Sequence, residues 1–582
     1  VIIFDQPDSH AMTSQPVASC QNPTLLVYSD SEALQAIATA QMQTQWRNLA
    51  TKCPWVTSPQ SPEFACTWYE CYRELYRPLI LVRYVPGGEM DGLIALAVER
   101  TTGKLTIVGS HQAEYQVWLA LPGEQTFVVE CLEKLRQLGF SSLSFTYLPP
   151  GTPLDWLKNG WSNASTLRAV QRPLLTVDNI EAVRESLAKK KNRRRLEKLQ
   201  ESGPLSFLEL RTVQELDDYY DLIIDFYDFR MGAVNGTCPF REDPRKGAFY
   251  RALMAQGLLH VTVMKIGEKL VASHIGLRNK TEVVLGIVGH SPFEAIHSPG
   301  KLHILQLGSL LHDERFTNLD LTPGGDSYKE DRATRYDEAH ELMVFLSREA
   351  LVRHRRSVRV QALEKKVASV LQLNKQGLSR LRAFLRHPIR GLASLWRSAR
   401  RWIWSSEETR FYRAEANATG SADPEVRRDH LRDLLCYEPA ERASRSKQEF
   451  LSDSLAAIES GVHCYSLVRN DMLVNCAWVA TPTSKVAFTE ALRSHKYPPR
   501  SAVIYDFYAK ASTSRREDHA FLQQIVTDAT TDGAEAVFLA IPAEDQTAQQ
   551  AAEEAGFKYQ DSVVRSVRFG SVKTKLVVRA NS

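Results

Sequence analysis

The chain reads as a mixed α/β (α+β) protein in which several sheets are flanked by helices, with similar units arranged in series. Two observations predict this. Short apolar runs rich in Val, Ile and Leu, as at Leu79–Tyr84, Leu259–Ile266 and Ala536–Ile541, alternate with longer stretches whose apolar residues fall three and four apart. The order strand, helix, several strands, helix, strand also recurs along the chain. With 582 residues there is room for three or four domains of about 100–200 residues each.

Composition narrows the class. A chain that is 43% hydrophobic and 24% charged has the balance of a globular protein. No run approaches the ~18 apolar residues that span a bilayer. The first residues lack the basic and long apolar regions of a secretory signal, so residues 1–20 are read as leader or disordered, with Met12 a candidate natural start. Nine scattered cysteines without a Cys-x-x-Cys pair fit reduced thiols and a cytoplasmic location, and they offer neither a disulfide framework nor a zinc ribbon. No metal site is expected, because no His-x-x-x-His or carboxylate cluster stands at ligand spacing. Net charge is +4, yet residues 348–404 hold fifteen Lys or Arg against two Glu, so the remainder of the chain is negative.

The first unit, 21–176, runs from a strand at 24–28 through a helix at 32–48 and an aromatic-rich helix with Trp68, Tyr69, Tyr72 and Tyr76. Strands are predicted at Leu79–Tyr84, Gly92–Val98, Lys104–Gly109 and Tyr115–Ala120, then a helix at Glu124–Leu138 and a strand at Ser142–Tyr147. This unit is read as a structural or acceptor-binding half.

The second unit, 177–347, is read as the catalytic one. It opens with a single helix over 181–202 that carries six positive charges between Lys189 and Arg195, a pattern suited to an anionic partner. A strand at Leu205–Leu210, helices at Val213–Met231 and Pro244–Gln256, and strands at Leu259–Ile266, Lys269–Leu277 and Glu282–Val288 follow. After Gly289-His290-Ser291-Pro292 comes Ser298-Pro299-Gly300-Lys301-Leu302-His303, where Leu302, Leu305, Leu307, Leu310 and Leu311 announce a helix. A helix that starts at such a turn leaves N–H groups and partial positive charge for a phosphate. Asn318–Leu321 then runs as a strand into Gly324-Gly325-Asp326-Ser327-Tyr328-Lys329, and a last strand covers Glu341–Leu346.

Residues 348–404 form a basic amphipathic helical linker, with Leu378, Leu381, Leu385, Leu392 and Trp396 interleaved with arginines, a composition suited to an anionic membrane surface. Residues 405–582 make the third unit, with strands at Val462–Val468, Leu473–Ala480, Ala502–Lys510 and Ala536–Ile541, and a closing Gly556-Phe557-Lys558-Tyr559.

Taken together, the Ser298-Pro299-Gly300 helix start and the Gly-Gly-Asp-Ser-Tyr-Lys segment resemble the acyltransferase fold of the GNAT superfamily. The Lys-Lys-Asn-Arg-Arg-Arg helix and the Pro-Glu-Phe and Trp-Tyr segment extend the likeness over residues 20–346 to the tandem FemABX-like and CelD-like acetyltransferases. That branch is linked to envelope and polysaccharide biosynthesis or to aminoacyl transfer. The third unit resembles a further GNAT-like domain, although no glycine stands in Ser512–His519, where that family has a Gly-rich loop; Arg515 and Arg516 are the candidate replacements there.

The resemblance implies an N- or O-acyltransferase (EC 2.3.1). The donor would be acyl-CoA, or the phosphopantetheine thioester of an acyl-carrier protein, and the acceptor an amine or hydroxyl. Ser298, Gly300, Lys301, Leu302 and His303 would hold the donor phosphate. Tyr328 and Lys329 would act at the carbonyl or acceptor, Asp320 as orienting carboxylate or base, and His274 as a base if it faces the cleft. Two rivals remain: aminoacyl-tRNA as donor, drawn by the basic helix, and a non-catalytic adaptor of an envelope machine. Localisation is expected to be cytoplasmic, with the linker placing the chain at the inner membrane face.

Overall fold

The computed structural model describes residues 22–325, 327–370, 404–415, 425–439, 445–481, 488–510, 515–568 and 571–578. They form a mixed α/β structure with four sheets. The N-terminal sheet holds β1 (Thr24–Ser29), β2 (Tyr76–Tyr84), β3 (Met90–Glu99) and β4 (Leu105–Ile107) in that order, with β5 (Leu119–Ala120) also on β3. Strands β2 and β3 are buried on both faces, which is why they read as continuous apolar runs instead of alternating ones. The aromatic helix Pro62–Tyr72 starts on a Ser61 cap and packs inward, so Trp68, Tyr69 and Tyr72 are core residues.

Two more strands of the first unit, β6 (Ser142–Leu148) and β7 (Ser165–Thr176), leave this sheet. The second unit supplies β8 (Leu205–Leu210), β9 (Leu259–Ile266), β10 (Lys269–Leu277), β11 (Glu282–Val284), β12 (Ile287–His290), β13 (Asn318–Asp320) and β14 (Arg335–Phe345). Four of them form an antiparallel sheet in the order β12-β10-β9-β8. The others join the first unit in the order β11-β13-β7-β14-β6. Strand β7 is thus inserted between β13 and β14, and β14 between β7 and β6. The two units are interlocked by exchanged strands, and residue 176 ends a strand shared by both.

The third unit repeats the device. In its sheet, β15 (Trp404–Glu415) lies between β20 (Ala536–Pro542) and β21 (Lys558–Arg568), after the run β16 (Arg427–Arg428), β17 (His463–Arg469), β18 (Met472–Ala480) and β19 (Ser501–Ala509); β22 (Ser571–Val578) closes the other edge. This unit rests on the helix Val213–Asn235, where Leu451 sits so close to Gly232 that any side chain there would collide with it.

Several expectations change. The helix foreseen over 181–202 is two, Glu181–Ala188 and Lys190–Gln200, because Lys189 is extended at ψ 131°. Only Leu119–Ala120 of the strand foreseen at 115–120 is regular, since Tyr115 turns away to reach the second unit. Neither β7 nor β15 was foreseen. Residues Arg348–Val370 form a helix that carries Arg353, Arg355, Arg356 and Arg359; the Leu378–Trp396 pattern lies outside the described residues. Among the described residues, no helix is long and apolar enough to cross a membrane.

Candidate active site

The site is created where one extended segment changes partners. Within residues 282–290, β11 pairs in parallel with β13 while β12 pairs with β10, and the changeover falls at Leu285–Gly286. The N–H of Leu285 still donates to the Asp320 carbonyl at 2.7 Å, and Ile287 is already opposite Ile275. Two sheets therefore splay from a common strand. Glycine makes the fork possible: a Cβ on Gly276 would run into the Val284 carbonyl and press on the His274 ring, and one on Gly286 would lie 2.6 Å from the Ile275 carbonyl. Gly276→Ala is expected to lower stability by about 3 kcal/mol, at the upper end for overpacking because backbone must yield; the denaturant midpoint at constant slope measures it.

Below the fork lies a cavity of about 280 Å³. Its walls come from β10 and the forked segment, from Tyr227, Phe240, Phe249 and Tyr250 of the second unit's helices, and from His111, Gln112 and Glu114 of the first unit. Thr322, Pro323 and Lys329 close it. Thr322 has φ +64°, a strained conformation for a β-branched residue. It is held there by its N–H on Asp320 Oδ1 at 2.8 Å and by Lys329 Nζ, which donates to its Oγ1 at 2.8 Å. Burial pushes the Glu114 carboxyl up to about 7, against the pull of Lys329.

A second feature adjoins the start of the helix Pro299–Asp313. Lys190, Lys191, Arg194, Arg195 and Lys198 line an open groove of about 450 Å³ together with His297. Burial lowers the Lys301 ammonium, and the nearby Arg332, Arg195 and Lys189 lower it further. Beside them, burial and then Arg230 hold His290 down to about 4, with Arg230 Nη1 3.1 Å from its Nε2. The helix start and the basic helix foreseen separately are thus one positively charged zone.

The residues named from sequence fare unequally. Lys329 is at the cavity. Asp320 is fully buried and is no base: Tyr115 donates to its Oδ2 at 2.6 Å, Arg172 pairs with the same oxygen at 2.9 Å, and Thr322 occupies Oδ1. It ties the units together and orients the Thr322 turn. His274 does not face the cleft. It is enclosed against the Val284 backbone, and burial followed by His260 and His303 drives its pKa well below the ordinary value. The main-chain cradle is also corrected: the N–H groups of Lys301 and Leu302 already donate to the Ser298 carbonyl at 3.1 and 3.3 Å. Leu302 and His303 have buried side chains, His303 being 3.2 Å from Thr262 Oγ1, so neither can touch a donor. Ser298 holds the turn at φ +52°, and Gly300 passes His290, whose Nδ1 is 3.1 Å from where a Cβ would be. The side chains of Tyr328, Arg515 and Arg516 lie outside the described residues, as does Asp326.

Sequence reasoning missed Glu114. Its only signal is a carboxylate inside the mostly apolar and aromatic run Ala113–Trp118, where Gln116 is the other polar residue. It also missed that Glu209, His260 and Glu314 converge with ligand atoms within 4.8 Å of one another. Arg211 and Arg278 pair with Glu209 at 2.6 and 2.9 Å, so this trio is balanced as an ion-pair network.

Comparison with known proteins bears on the same region. Residues 186–330 match the family model described as an acetyltransferase (GNAT) domain. No curated protein sequence matches the chain. Solved structures similar to it include FemX (8% identity, 52% of this chain and 95% of that one, TM-score 0.37). Others are a tandem GNAT protein from the clavulanic acid biosynthesis pathway (13%, 56% and 99%, TM-score 0.35) and L-PGS from Bacillus licheniformis (11%, 52% and 92%, TM-score 0.34). The forked strand, the Lys329 wall of the cavity and the basic groove all fall within 186–330, the residues that are similar to the GNAT acetyltransferase domain.

Proposed function

We propose that the protein is an acyltransferase that passes an acyl group from a thioester to an amine or hydroxyl. The observation that carries this reading is the fork at Leu285–Gly286, with a cavity beneath it and a cationic groove beside it. In this reading the groove formed by the basic helix, His297 and Lys301 takes the phosphates of acyl-CoA or of an acyl-carrier protein's phosphopantetheine. Side-chain cations replace the main-chain donors, which are largely engaged within the helix. The acyl carbonyl then reaches the cavity, where Lys329 faces the negative charge that develops on its oxygen. The acceptor binds between the first two units, which supports treating residues 21–347 as one catalytic body of the FemABX-like or CelD-like kind.

Five cations spread over about 12 Å of helix exceed what one pyrophosphate engages, which favours aminoacyl-tRNA as a second reading of the donor. One experiment separates the two. With acetyl-CoA as donor, Lys191→Glu/Arg194→Glu is expected to raise the donor KM at least about tenfold with little change in kcat. If acetyl-CoA is not consumed but aminoacyl-tRNA is, and its binding weakens steeply with salt and is lost in the variant, the second reading holds. If neither donor is consumed or stabilises the protein against heat, acyl transfer is excluded.

A further inference from the structure

We infer that Glu114, contributed by the first unit, is the catalytic base of the second unit's site, and that the cavity beneath the fork accepts a small primary amine. This rests on the acyl-transfer reading. Two observations carry it. Glu114 lines the cavity beside Lys329 and the forked segment, so its carboxylate borders the space where donor and acceptor would meet. Among the described residues, no hydrogen-bond donor or ion-pair partner lies within bonding distance of that carboxylate, although it is only part-exposed. A half-buried carboxylate without a partner is costly unless a ligand completes it.

The position is also held rigidly by its neighbours. Tyr115 is tied on one side to Asp320, and its carbonyl accepts from Gln60 Nε2 at 3.0 Å. Gln116 spans from the Ser110 carbonyl at 2.7 Å to the Thr146 N–H at 2.9 Å. Rigid flanks are what a group needs to stay at fixed distance from a reacting atom. A carboxyl at about 7 is half ionised near neutrality, which suits a base. The cavity volume is at the lower limit for ligand pockets, and its aromatic walls favour a small ring or aliphatic body over a lipid or polymer.

The step balances as follows. Glu114 takes a proton from the amine, the nitrogen lone pair forms the C–N bond to the thioester carbonyl carbon, and the C–S bond breaks with its electron pair on sulfur. The thiolate takes up the proton, leaving an amide and a free thiol.

The test uses the full chain with acetyl-CoA, or aminoacyl-tRNA, and a panel of ethanolamine, glucosamine and tyramine, followed by thiol release or aminoacyl transfer. Glu114→Gln is expected to lower kcat at least about 100-fold with the donor KM unchanged. The wild-type rate should fall as pH drops below 7, because the base becomes protonated; that limb should vanish in Glu114→Gln and persist, at reduced rate, in Glu114→Asp. The Asp variant keeps the test decisive should the Gln variant fold poorly by circular dichroism. Wild-type activity with an unchanged rate and pH limb in either variant overturns the inference alone. No transfer by the wild type with any donor and amine overturns the acyl-transfer reading and the inference with it.

Discussion

Replacing Arg172 with Met should destabilise the interlocked units by about 4 kcal/mol, the cost of stripping the cation from a buried ion pair. Arg172 stands on the exchanged strand β7 and is buried. It pairs with Asp320 at 2.9 Å, with Asp337 at 3.1 Å and with Glu282, all from the second unit, and it also donates to Tyr115 Oη at 2.9 Å. Met fills a similar volume but leaves those carboxylates facing one another in a site with little water. Burial already pushes the Glu282 carboxyl up despite Arg172. In the variant it takes up a proton more readily, so the deficit should narrow as pH falls. Urea midpoints at pH 8 and pH 5.5 measure both effects; equal midpoints for wild type and variant at pH 8 would show that the clamp holds nothing together.

Acid should weaken the protein below pH 6.5 for a different reason. His260, His274 and His303 are all fully buried around the second sheet. Burial holds His260 down to about 4 and His303 to about 3, and takes His274 well below its ordinary value. Unfolded histidines titrate near 6.5, so stability is complete above that pH and is lost as pH falls toward the folded values, by about 1.4 kcal/mol per pH unit for each ring. Glu114 and Glu314, both pushed up to about 7 chiefly by burial, act oppositely. They gain stability as pH falls from 7 to the unfolded value near 4.3. His290, also held down to about 4, adds a fourth loss, and four losses against two gains leave a slope of about two groups between pH 6.5 and 4.5, a loss of about 5 kcal/mol. Below pH 4.5 the gains are exhausted and the slope steepens. Urea midpoints across this range, with histidine ring proton shifts followed by NMR, test the account. A flat midpoint, or four rings that titrate near 6.5, would refute it.

How far the fold was legible depends on where each strand is buried. Strands β2, β3, β9, β10 and β20 are covered on both faces, so burial alone wrote them as apolar runs that any reading finds. Strands β7 and β15 escaped. The first carries Arg168, Gln171, Arg172 and Pro173, and the second Glu407, Glu408, Arg410 and Arg413. Neither has a local pattern that singles it out, and each finds its partners more than a hundred residues later. The helix start at Ser298 was legible for the same local reasons that misled about its use: the turn that begins a helix also consumes the N–H groups that seemed free.

The candidate site divides along the same line. Glycines 276 and 286, the apolar strands around them and the basic run from Lys189 are local features, and the sequence alone determined that a βα fold with a cationic face would form. Which of the polar residues meet was decided only in three dimensions. Strand exchange brings Arg172 to Asp320, which removes that carboxylate from chemistry, and carries Glu114 to the cavity of another unit. Local periodicity records what a residue buries, whereas a site is made by contacts between segments whose separation along the chain has no physical trace in either of them.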